Sequence, residues 1–464
     1  MKKFSTVSAI IFFAFISNFI SAQNTISEDY KRSTIEKLSQ LIDDQYVFPE
    51  VAKNTTAHLQ KQFRDGEFDK YSTDEEFAAA LTESVQSINH DKHMRIRTNP
   101  PYIAPIHTLE KKMEERMDQI NWFRQANSGI KKVEILDGNV GYLDLREFAG
   151  FDTDNAYVDA YMKLLSRSDA IIIDLTQNGG GSPFMVQYLC SYFFDQKLHL
   201  NSLYYRASDE TEEFWTLDEV GGTKMPDIPL FIMTSEQTFS GAEEFSYNMQ
   251  TLKRATLVGQ TTGGGANPGG TIPISDNLTV FIPSGKAINP ITKTNWEGTG
   301  VVPEVKTSKE ETFEKAYDLA KKAAEDNRAA VLNNYNTLYT DFDNKMNQFK
   351  PGDAGEAIFE TIENLKNQKL IGEWDLNILG YENIQQHNRP ELAELLFKFN
   401  TELFPKSANA FDSYAESLMM KGDYLASLEN YKKAVHLAEE SKDFNLEAFK
   451  NNLKALETKM KEKD

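Results

Sequence analysis

The sequence is short of cysteine, of positive charge and of long hydrophobic runs. Its 464 residues contain one cysteine, Cys190, which excludes an internal disulfide and a metal cluster built from several thiolates. Fifty lysines and arginines stand against 70 aspartates and glutamates, and the net charge is -20. Because a chain with this charge repels phosphate backbones, nucleic acid is not an expected partner.

One apolar run lies close to the N-terminus. AIIFFAFISNFI follows Lys2 and Lys3 and precedes Ser21-Ala22, which is the order typical of a secretory signal peptide. A membrane span needs ~20 apolar residues, and this run is clearly shorter, so we expect no membrane span in the mature chain. The sequence therefore predicts a signal peptide over residues 1–22 and an exported protein, periplasmic or extracellular.

Three regions follow the predicted signal peptide. Residues 23–128 carry charged amphipathic helical patterns, for example in TDEEFAAALTESVQSI. Residues 129–308 alternate short β-branched runs, such as DAIIIDL and IPLFIMT, with helix-like segments, and residues 309–464 are helical again. We therefore predict an α/β core with crossover connections between an N-terminal helical region and a C-terminal helical tail, with no strand after Pro303.

The helical tail contains an internal repeat with a period near 34 residues, over about 374–440. Gly380 corresponds to Ala415, and Phe397 corresponds to Tyr431. Small residues where helices cross and an aromatic residue on the second helix are what stacked two-helix units require, so the spacing resembles tetratricopeptide repeats. Two such units bury their own faces poorly, and we therefore expect the tail to pack on a protein partner.

A serine that follows a buried strand is the first candidate for chemistry. In IPLFIMTSEQTFSGAEEF the strand ends in a polar turn and Ser240 then opens a helix. A strand-turn-helix arrangement of this kind presents a hydroxyl at the edge of a sheet, close to helix amides. The alternative is structural, because Ser240 and Glu243 also fit an S-x-x-E capping box.

Two glycine-rich loops accompany this serine. In DAIIIDLTQNGGGS an apolar strand runs into Gly179, Gly180 and Gly181, which bring bare amides to the carboxyl edge of a sheet. The stretch is not a P-loop, so it is either a turn without function or an oxyanion hole that stabilises the charge on an attacked carbonyl. The second loop, VGQTTGGGANPGG, follows the Ser240 helix and is expected to shape the same cleft.

A nucleophilic serine needs a general base, and the chain has seven histidines. His90 and His93 lie at a helix end with the i, i+3 spacing of a metal pair, but no carboxylate-rich helix accompanies them. A neutral imidazole beside Ser240 serves as a base if an acid orients its second nitrogen, and spacing alone does not select that acid. We predict no metal and no cofactor.

Four stretches together resemble the C-terminal processing (tail-specific) protease family, in its tricorn-like and interphotoreceptor-retinoid-binding-protein-like branch. They are NHDKH, AIIIDLTQNGGGS, MTSEQTFSGAEEF with RATLVGQTTGGG, and NWEGTGVVPEV, in the family's order from about residue 30 to 306. The resemblance implies a ClpP/crotonase-like protease core. The residues that it implies are Ser240 as nucleophile, His93 as base, Glu297 as the acid that orients His93, and the amides of Gly179, Gly180 and Gly241 as oxyanion hole.

The sequence also departs from the family pattern. Bacterial processing proteases place a lysine base near the position of Gly265. Tricorn-like members have a serine at the position of Lys92. In the glycine turn, the family usually has an arginine at the position of Thr176. About 36 residues separate His93 from Ile130, which is too few for the PDZ module of the processing proteases.

These observations predict an exported serine-type peptidase that acts on polypeptides or peptides. One alternative is a non-catalytic binder of an apolar ligand or peptide on the same scaffold, and another is a scaffold protein that works through its repeat tail. Catalysis requires His93 within hydrogen-bond reach of Ser240 and Glu297 within reach of His93, whereas an apolar binder needs an apolar cavity beneath the glycine loops.

Overall fold

A computed structural model describes residues 25–98, 109–150 and 154–462. The predicted signal peptide and His107 lie outside these residues. The chain divides into two compact units, Met1–Asn327 and Arg328–Asp464. Within the described residues, no helix has both the length and the apolar character needed to cross a bilayer.

Helices form both ends of the described chain. Their bounds are α1 (Glu28–Gln45), α2 (Pro49–Arg64), α3 (Asp74–Asn89), α4 (Leu109–Ala126), α5 (Asp154–Leu165), α6 (Pro183–Ser191), α7 (Gly241–Thr251), α8 (Thr312–Gln348), α9 (Glu356–Asn367), α10 (Glu373–Gln385), α11 (Pro390–Leu403), α12 (Ala408–Lys421), α13 (Tyr424–Ser441) and α14 (Leu446–Lys461).

The strands lie between α3 and α8. Their bounds are β1 (Ile96–Thr98), β2 (Ile130–Leu136), β3 (Val140–Leu145), β4 (Ala170–Asp174), β5 (His199–Tyr205), β6 (Glu210–Trp215), β7 (Leu230–Thr234), β8 (Thr256–Gly259), β9 (Gly269–Pro273), β10 (Leu278–Pro283), β11 (Gly285–Ile288) and β12 (Val305–Lys306).

The central sheet has six strands in the order β12-β8-β7-β4-β3-β2. The strands from β12 to β3 are parallel, and β2 joins the edge antiparallel to β3. Parallel neighbours need crossover connections, and α5 and α7 provide them after β3 and β7. The sheet confirms the predicted α/β core between helical regions.

Helices cover both faces of this sheet. On one face, Ile171 and Ile173 of β4 pack with α5, α6 and α7, in a core that also buries Cys190. On the other face, Ile172 packs in a cluster with α8, which presents alanines at every fourth position. Because β-strand side chains alternate between faces, one continuous apolar run serves both cores. The alanines on α8 are Ala316, Ala320 and Ala324.

Two antiparallel sheets complete the first unit, with the orders β1-β10-β9 and β11-β5-β6. The segment LTVFIPSGKAI supplies β10 and β11, which pair antiparallel with β9 and β5. Strand β1 was not predicted from the sequence. The prediction of no strand after Pro303 is wrong, since β12 pairs with β8. Strands of two or three residues are too short to show an alternating pattern.

The second unit is helical. Consecutive helices pack on one another from α10 to α14. Gly380 lies against the ring of Phe397, where an added Cβ would be 2.4 Å from Cε1. The corresponding Ala415 and Tyr431 are buried. The tetratricopeptide assignment stays a prediction.

Candidate active site

Ser240 lies in the turn between β7 and the first residue of α7. Its backbone is strained for a non-glycine residue, with φ 53° and ψ -121°. The N–H of Phe239 donates to the carbonyl of Asn178 (3.0 Å), which ties this turn to the loop after β4. The sequence folds this way because β4 and β7 are parallel neighbours, so their carboxyl ends meet at one edge.

The glycine turn after β4 is held against Ser240. Asn178 is fully buried, donates to the Leu145 carbonyl (3.0 Å) and accepts from the N–H of Gly180 (2.8 Å). Gly180 has φ +110°, and a Cβ there would lie 2.8 Å from both the Cβ of Ser240 and the amide nitrogen of Gly241. Only glycine fits this contact between the two loops.

The three amides predicted to form the oxyanion hole therefore lie close to Ser240. They differ in whether their N–H groups already donate a hydrogen bond. The N–H of Gly180 is already bonded to the side chain of Asn178. Gly241 begins α7, where a backbone N–H has no partner within the helix and points toward the helix N-terminus. Gly179 lines the cleft, and no atom lies within 4 Å of a Cβ built on it.

Glu243 joins the nucleophile turn to the second glycine loop. Its fully buried carboxylate accepts from the N–H of Ser240 (2.9 Å), Gly264 (2.6 Å) and Gly265 (2.8 Å), and from the hydroxyl of Thr262 (2.5 Å). Burial raises the pKa of this carboxyl, and these four hydrogen bonds oppose the rise. The capping-box interpretation is thus correct for Glu243, and it leaves a role for Ser240 in the cleft.

His93 follows α3 and is wedged between two aromatic rings. Its ring centroid lies 4.5 Å from that of Phe239 and 5.5 Å from that of Phe281. A Cβ on Gly265 would lie 2.7 Å from the Cε1 of His93 and 2.2 Å from the Cζ of Phe239. The imidazole of His93 and the ring of Phe239 therefore occupy the space beside Gly265. This is the position near which the sequence analysis expects the lysine base of the bacterial processing proteases.

The environment of His93 favours the neutral imidazole. Burial, together with the charge of Arg95, lowers the pKa of His93 to about 4. Its Nδ1 is buried and has no hydrogen-bond partner among the described residues. At neutral pH the ring is therefore unprotonated, which is the state that a general base requires.

Asp91 contacts His93, although the sequence analysis assigned it no role. Its Oδ1 accepts from the backbone N–H of His93 (3.0 Å) and lies 3.8 Å from Nδ1 of the same ring. Its Oδ2 accepts from the amide of Asn267 (2.9 Å) and from the hydroxyl of Tyr46 (3.4 Å). Burial raises the pKa of Asp91. The NHDKH segment contained the signal, because Asp91 lies two residues before His93.

Glu297 approaches His93 from the loop that precedes β12. Its Oε2 accepts from the N–H of Ala266 (2.6 Å) and of Asn267 (3.2 Å), while Oε1 is buried without a partner among the described residues. Burial and the nearby charge of Asp91 raise the pKa of Glu297 to about 8. One oxygen from each carboxylate and one nitrogen of His93 lie within 4.8 Å of one another.

These three side chains place two carboxyl groups at one imidazole. The same three atoms are close enough to hold a metal ion, and His90 is not part of the group. Instead, His90 is exposed and ends α3 in the left-handed conformation. An imidazole between two carboxylates can also accept a proton at its other nitrogen and be stabilised as imidazolium.

Ser240, His93 and the two glycine loops line one cleft of about 940 Å³. No hydrogen bond joins His93 to Ser240 in the part of the chain that the structure describes. Lys92, at the position of the tricorn-like serine, donates to the Gly263 carbonyl (2.7 Å) and so contacts the second glycine loop. Thr176, at the usual arginine position, donates through its hydroxyl to Asp174 (2.6 Å).

Solved structures that match this chain include several proteases. A candidate peptidase from Parabacteroides merdae is 17% identical, with a TM-score of 0.45 over 62% of this chain and 96% of that chain. The photosystem II D1 C-terminal processing protease is 14% identical, with a TM-score of 0.38 over 61% and 94%. Mature CPAF complexed with lactacystin is 12% identical, with a TM-score of 0.44 over 66% and 99%.

Two family models match consecutive parts of the chain. Residues 28–126 match the N-terminal domain of Peptidase_S41 in eukaryotic IRBP. Residues 139–307 match peptidase family S41, and this segment contains Ser240, Glu297 and both glycine loops. Residues 139–307 are therefore similar to peptidase family S41.

Proposed function

We propose that this protein is an exported serine peptidase in which Ser240 attacks the peptide carbonyl, His93 is the general base and Glu297 orients and stabilises it. The observation that carries the proposal is one cleft lined by a strained serine at a helix N-terminus, by glycine-turn backbone and by a buried neutral imidazole. The match of residues 139–307 to peptidase family S41 supports a peptide substrate.

The first chemical step transfers a proton and forms one bond. His93 takes the Ser240 proton as the hydroxyl oxygen bonds to the carbonyl carbon, and the carbonyl electrons move onto its oxygen. The amide of Gly241 and a glycine-turn amide donate to that oxyanion. The imidazolium lies beside Asp91 and Glu297, and the ionised forms of these carboxyl groups lower its free energy.

The remaining steps regenerate the enzyme. The oxyanion collapses, the carbon–nitrogen bond breaks, and His93 returns its proton to the leaving amine. Water then attacks the acyl group on Ser240 while His93 takes a proton from it. The bond between the acyl carbon and the Ser240 oxygen breaks, His93 returns the proton to that oxygen, and the acid product leaves. The hydrogen bond between Ser240 and His93 forms when substrate fills the cleft, because catalytic contacts in substrate-free enzymes are often long.

An apolar binder on the same scaffold is the second candidate. The aromatic rings of Phe239 and Phe281 in the cleft favour it, as does the missing bond from His93 to Ser240. Against it, Lys92, Arg95 and Arg97 line the same cleft, and burying cations against an apolar ligand is costly. Peptidase activity is therefore the better supported function.

Two further parts of the proposal lie outside the cleft. Export depends on residues 1–22, which have the sequence order of a signal peptide. The tail of α10 to α14 serves as a docking module for a protein partner, since stacked two-helix units expose extended faces. Trp374 and Ile378, one helical turn apart on α10, are both exposed and fit such a face.

The test is peptide release from an unstructured protein, read by mass spectrometry, with the mature wild type beside Ser240→Ala. Ser33→Ala, an exposed serine on α1, is the matched control. We expect cleavage by the wild type and the control and none by Ser240→Ala. Equal cleavage by all three proteins would contradict the role of Ser240 as nucleophile. No cleavage by any of them while each is folded would contradict the peptidase proposal and favour the binder.

A further inference from the structure

One wall of the cleft carries positive charge in a strongly acidic chain. The cleft is lined by Lys92, Arg95 and Arg97, and by one carboxylate, Glu236. The chain as a whole has a net charge of -20. The charge of the cleft lining, three cations against one anion, is therefore opposite in sign to the net charge of the protein. A concave surface also concentrates the electrostatic field of its charges.

The register of a short strand places the two arginines on this wall. Ile96 pairs with Val280, and both belong to the apolar core of the N-terminal helices. Side chains alternate along a strand, so Arg95 and Arg97 lie on the opposite face, together with Phe281 of β10. That face lines the cleft. Pairing of β1 with β10 thus fixes the arginines beside the catalytic imidazole.

None of the three cations is neutralised by a carboxylate among the described residues. Arg95 donates through Nε to the carbonyl of Lys92 (2.8 Å), and Lys92 donates to the carbonyl of Gly263 (2.7 Å). Carbonyl acceptors orient these groups and leave their charge in place. All three residues are exposed, so a ligand in the cleft can reach them.

We propose that the cleft selects peptides with acidic side chains next to the cleaved bond, and that Arg97 and Arg95 bind those carboxylates. A guanidinium offers paired N–H donors that match the two oxygens of a carboxylate. The cleft volume of about 940 Å³ accommodates several residues of an extended peptide. This inference rests on the proposed peptidase function and adds the substrate class.

The test compares two fluorescent peptides with amidated C-termini. Their sequences are identical except that one has aspartate and glutamate where the other has asparagine and glutamine. We expect wild-type kcat/KM to be higher for the acidic peptide. Arg97→Gln should lower the acidic-to-amide ratio about threefold, because a partly exposed ion pair contributes up to ~1 kcal/mol. Arg97→Glu should lower it further, and higher salt should reduce the wild-type ratio.

Arg64→Gln is the matched control, because Arg64 is an exposed arginine on α2 outside the cleft lining. It should leave the ratio unchanged. Equal wild-type kcat/KM for both peptides overturns the inference and leaves the peptidase function intact. A third peptide, with amide side chains and a free terminal carboxylate, tests the other source of the same charge. If only that peptide is preferred, the side-chain assignment is wrong.

A binding measurement distinguishes failure of the proposed peptidase function from failure of the carboxylate site. If the wild type cleaves neither peptide, the binding of both peptides to wild type and to Arg97→Gln is measured by fluorescence anisotropy. Tighter binding of the acidic peptide, reduced in Arg97→Gln, supports the carboxylate site without catalysis. Equal binding of the two peptides overturns it.

Discussion

The replacement of Glu297 by glutamine tests how the buried carboxyl pair controls the imidazole. Glu297 and Asp91 both approach His93, and burial together with the Asp91 charge raises the pKa of Glu297 to about 8. At neutral pH Glu297 is therefore largely protonated, whereas His93, whose pKa is lowered to about 4, is already neutral. The group that limits catalysis on the acidic side is then Glu297, because only its ionised form stabilises the imidazolium.

The structure gives the size of this effect. At about pH 6 a carboxyl with a pKa of about 8 is only ~1% ionised, so kcat/KM of the wild type should rise up to roughly 100-fold toward pH 9. In Glu297→Gln that rise should be lost, and above pH 8 the variant should be about 10- to 100-fold slower. This corresponds to one charge-assisted hydrogen bond of ~1.5–3 kcal/mol.

Folding stability should change in the opposite sense. The pKa of Glu297 is raised in the folded state, so its contribution is fully favourable below the ordinary value of 4.5 and is lost as the pH rises through about 8. The loss amounts to at most about 5 kcal/mol, since each pKa unit corresponds to 1.36 kcal/mol. Glu297→Gln, which cannot ionise, should therefore gain stability over wild type above pH 5.

Two measurements test the predicted effects of Glu297 on activity and on stability. The first is kcat/KM against pH with a Ser240-dependent substrate, and the second is the free energy of unfolding in urea at a low and a high pH. Glu219→Gln, which removes an exposed carboxyl, is the control and should match wild type in both. A wild-type rise near the ordinary histidine value of about 6.5, retained in Glu297→Gln, would refute the reasoning.

Two steric predictions follow from close packing. Gly265→Ala places a methyl 2.2 Å from Phe239 and 2.7 Å from His93, so we expect a loss of about 1–3 kcal/mol in unfolding free energy and at least a ~10-fold fall in kcat/KM. Gly270→Ala, whose methyl meets open space, should change neither, and equal behaviour of the two variants would disprove the packing argument. Ala320→Leu should cost about 1–3 kcal/mol in urea unfolding because Ala320 is fully buried against the central sheet, whereas the exposed Ala330→Leu should cost almost nothing.

The architecture was accessible from the sequence because it rests on local periodicity. Continuous β-branched runs such as AIIID predict strands buried on both faces, and the structure confirms this for β4. The resemblance to a peptidase family is confirmed for residues 139–307, which match peptidase family S41. Element boundaries and very short strands were not accessible, since β1 exists only through its pairing with β10.

The residues of the candidate active site could be predicted only where a local sequence pattern indicates their chemistry. A serine after a strand and a glycine run before a helix are visible in the sequence, and the structure brings Ser240 and Gly180 into contact. Asp91 was missed because a chain with 70 acidic residues offers many carboxylates, and only tertiary burial distinguishes this one. The engagement of the Gly180 amide by Asn178 was equally invisible, since it depends on the rotamer of a buried side chain.

The pairing of β1 with β10 has a consequence for when the protein becomes active during folding. The strand that follows His93 finds its partner roughly 180 residues later, and Glu297 is supplied later still. Contacts of such long sequence separation form late, because the loop-closure entropy must be overcome before they stabilise anything. If the proposed mechanism holds, a nascent or partly folded chain carries Ser240 without its base, and the chain cannot digest itself or its neighbours until the first unit is complete.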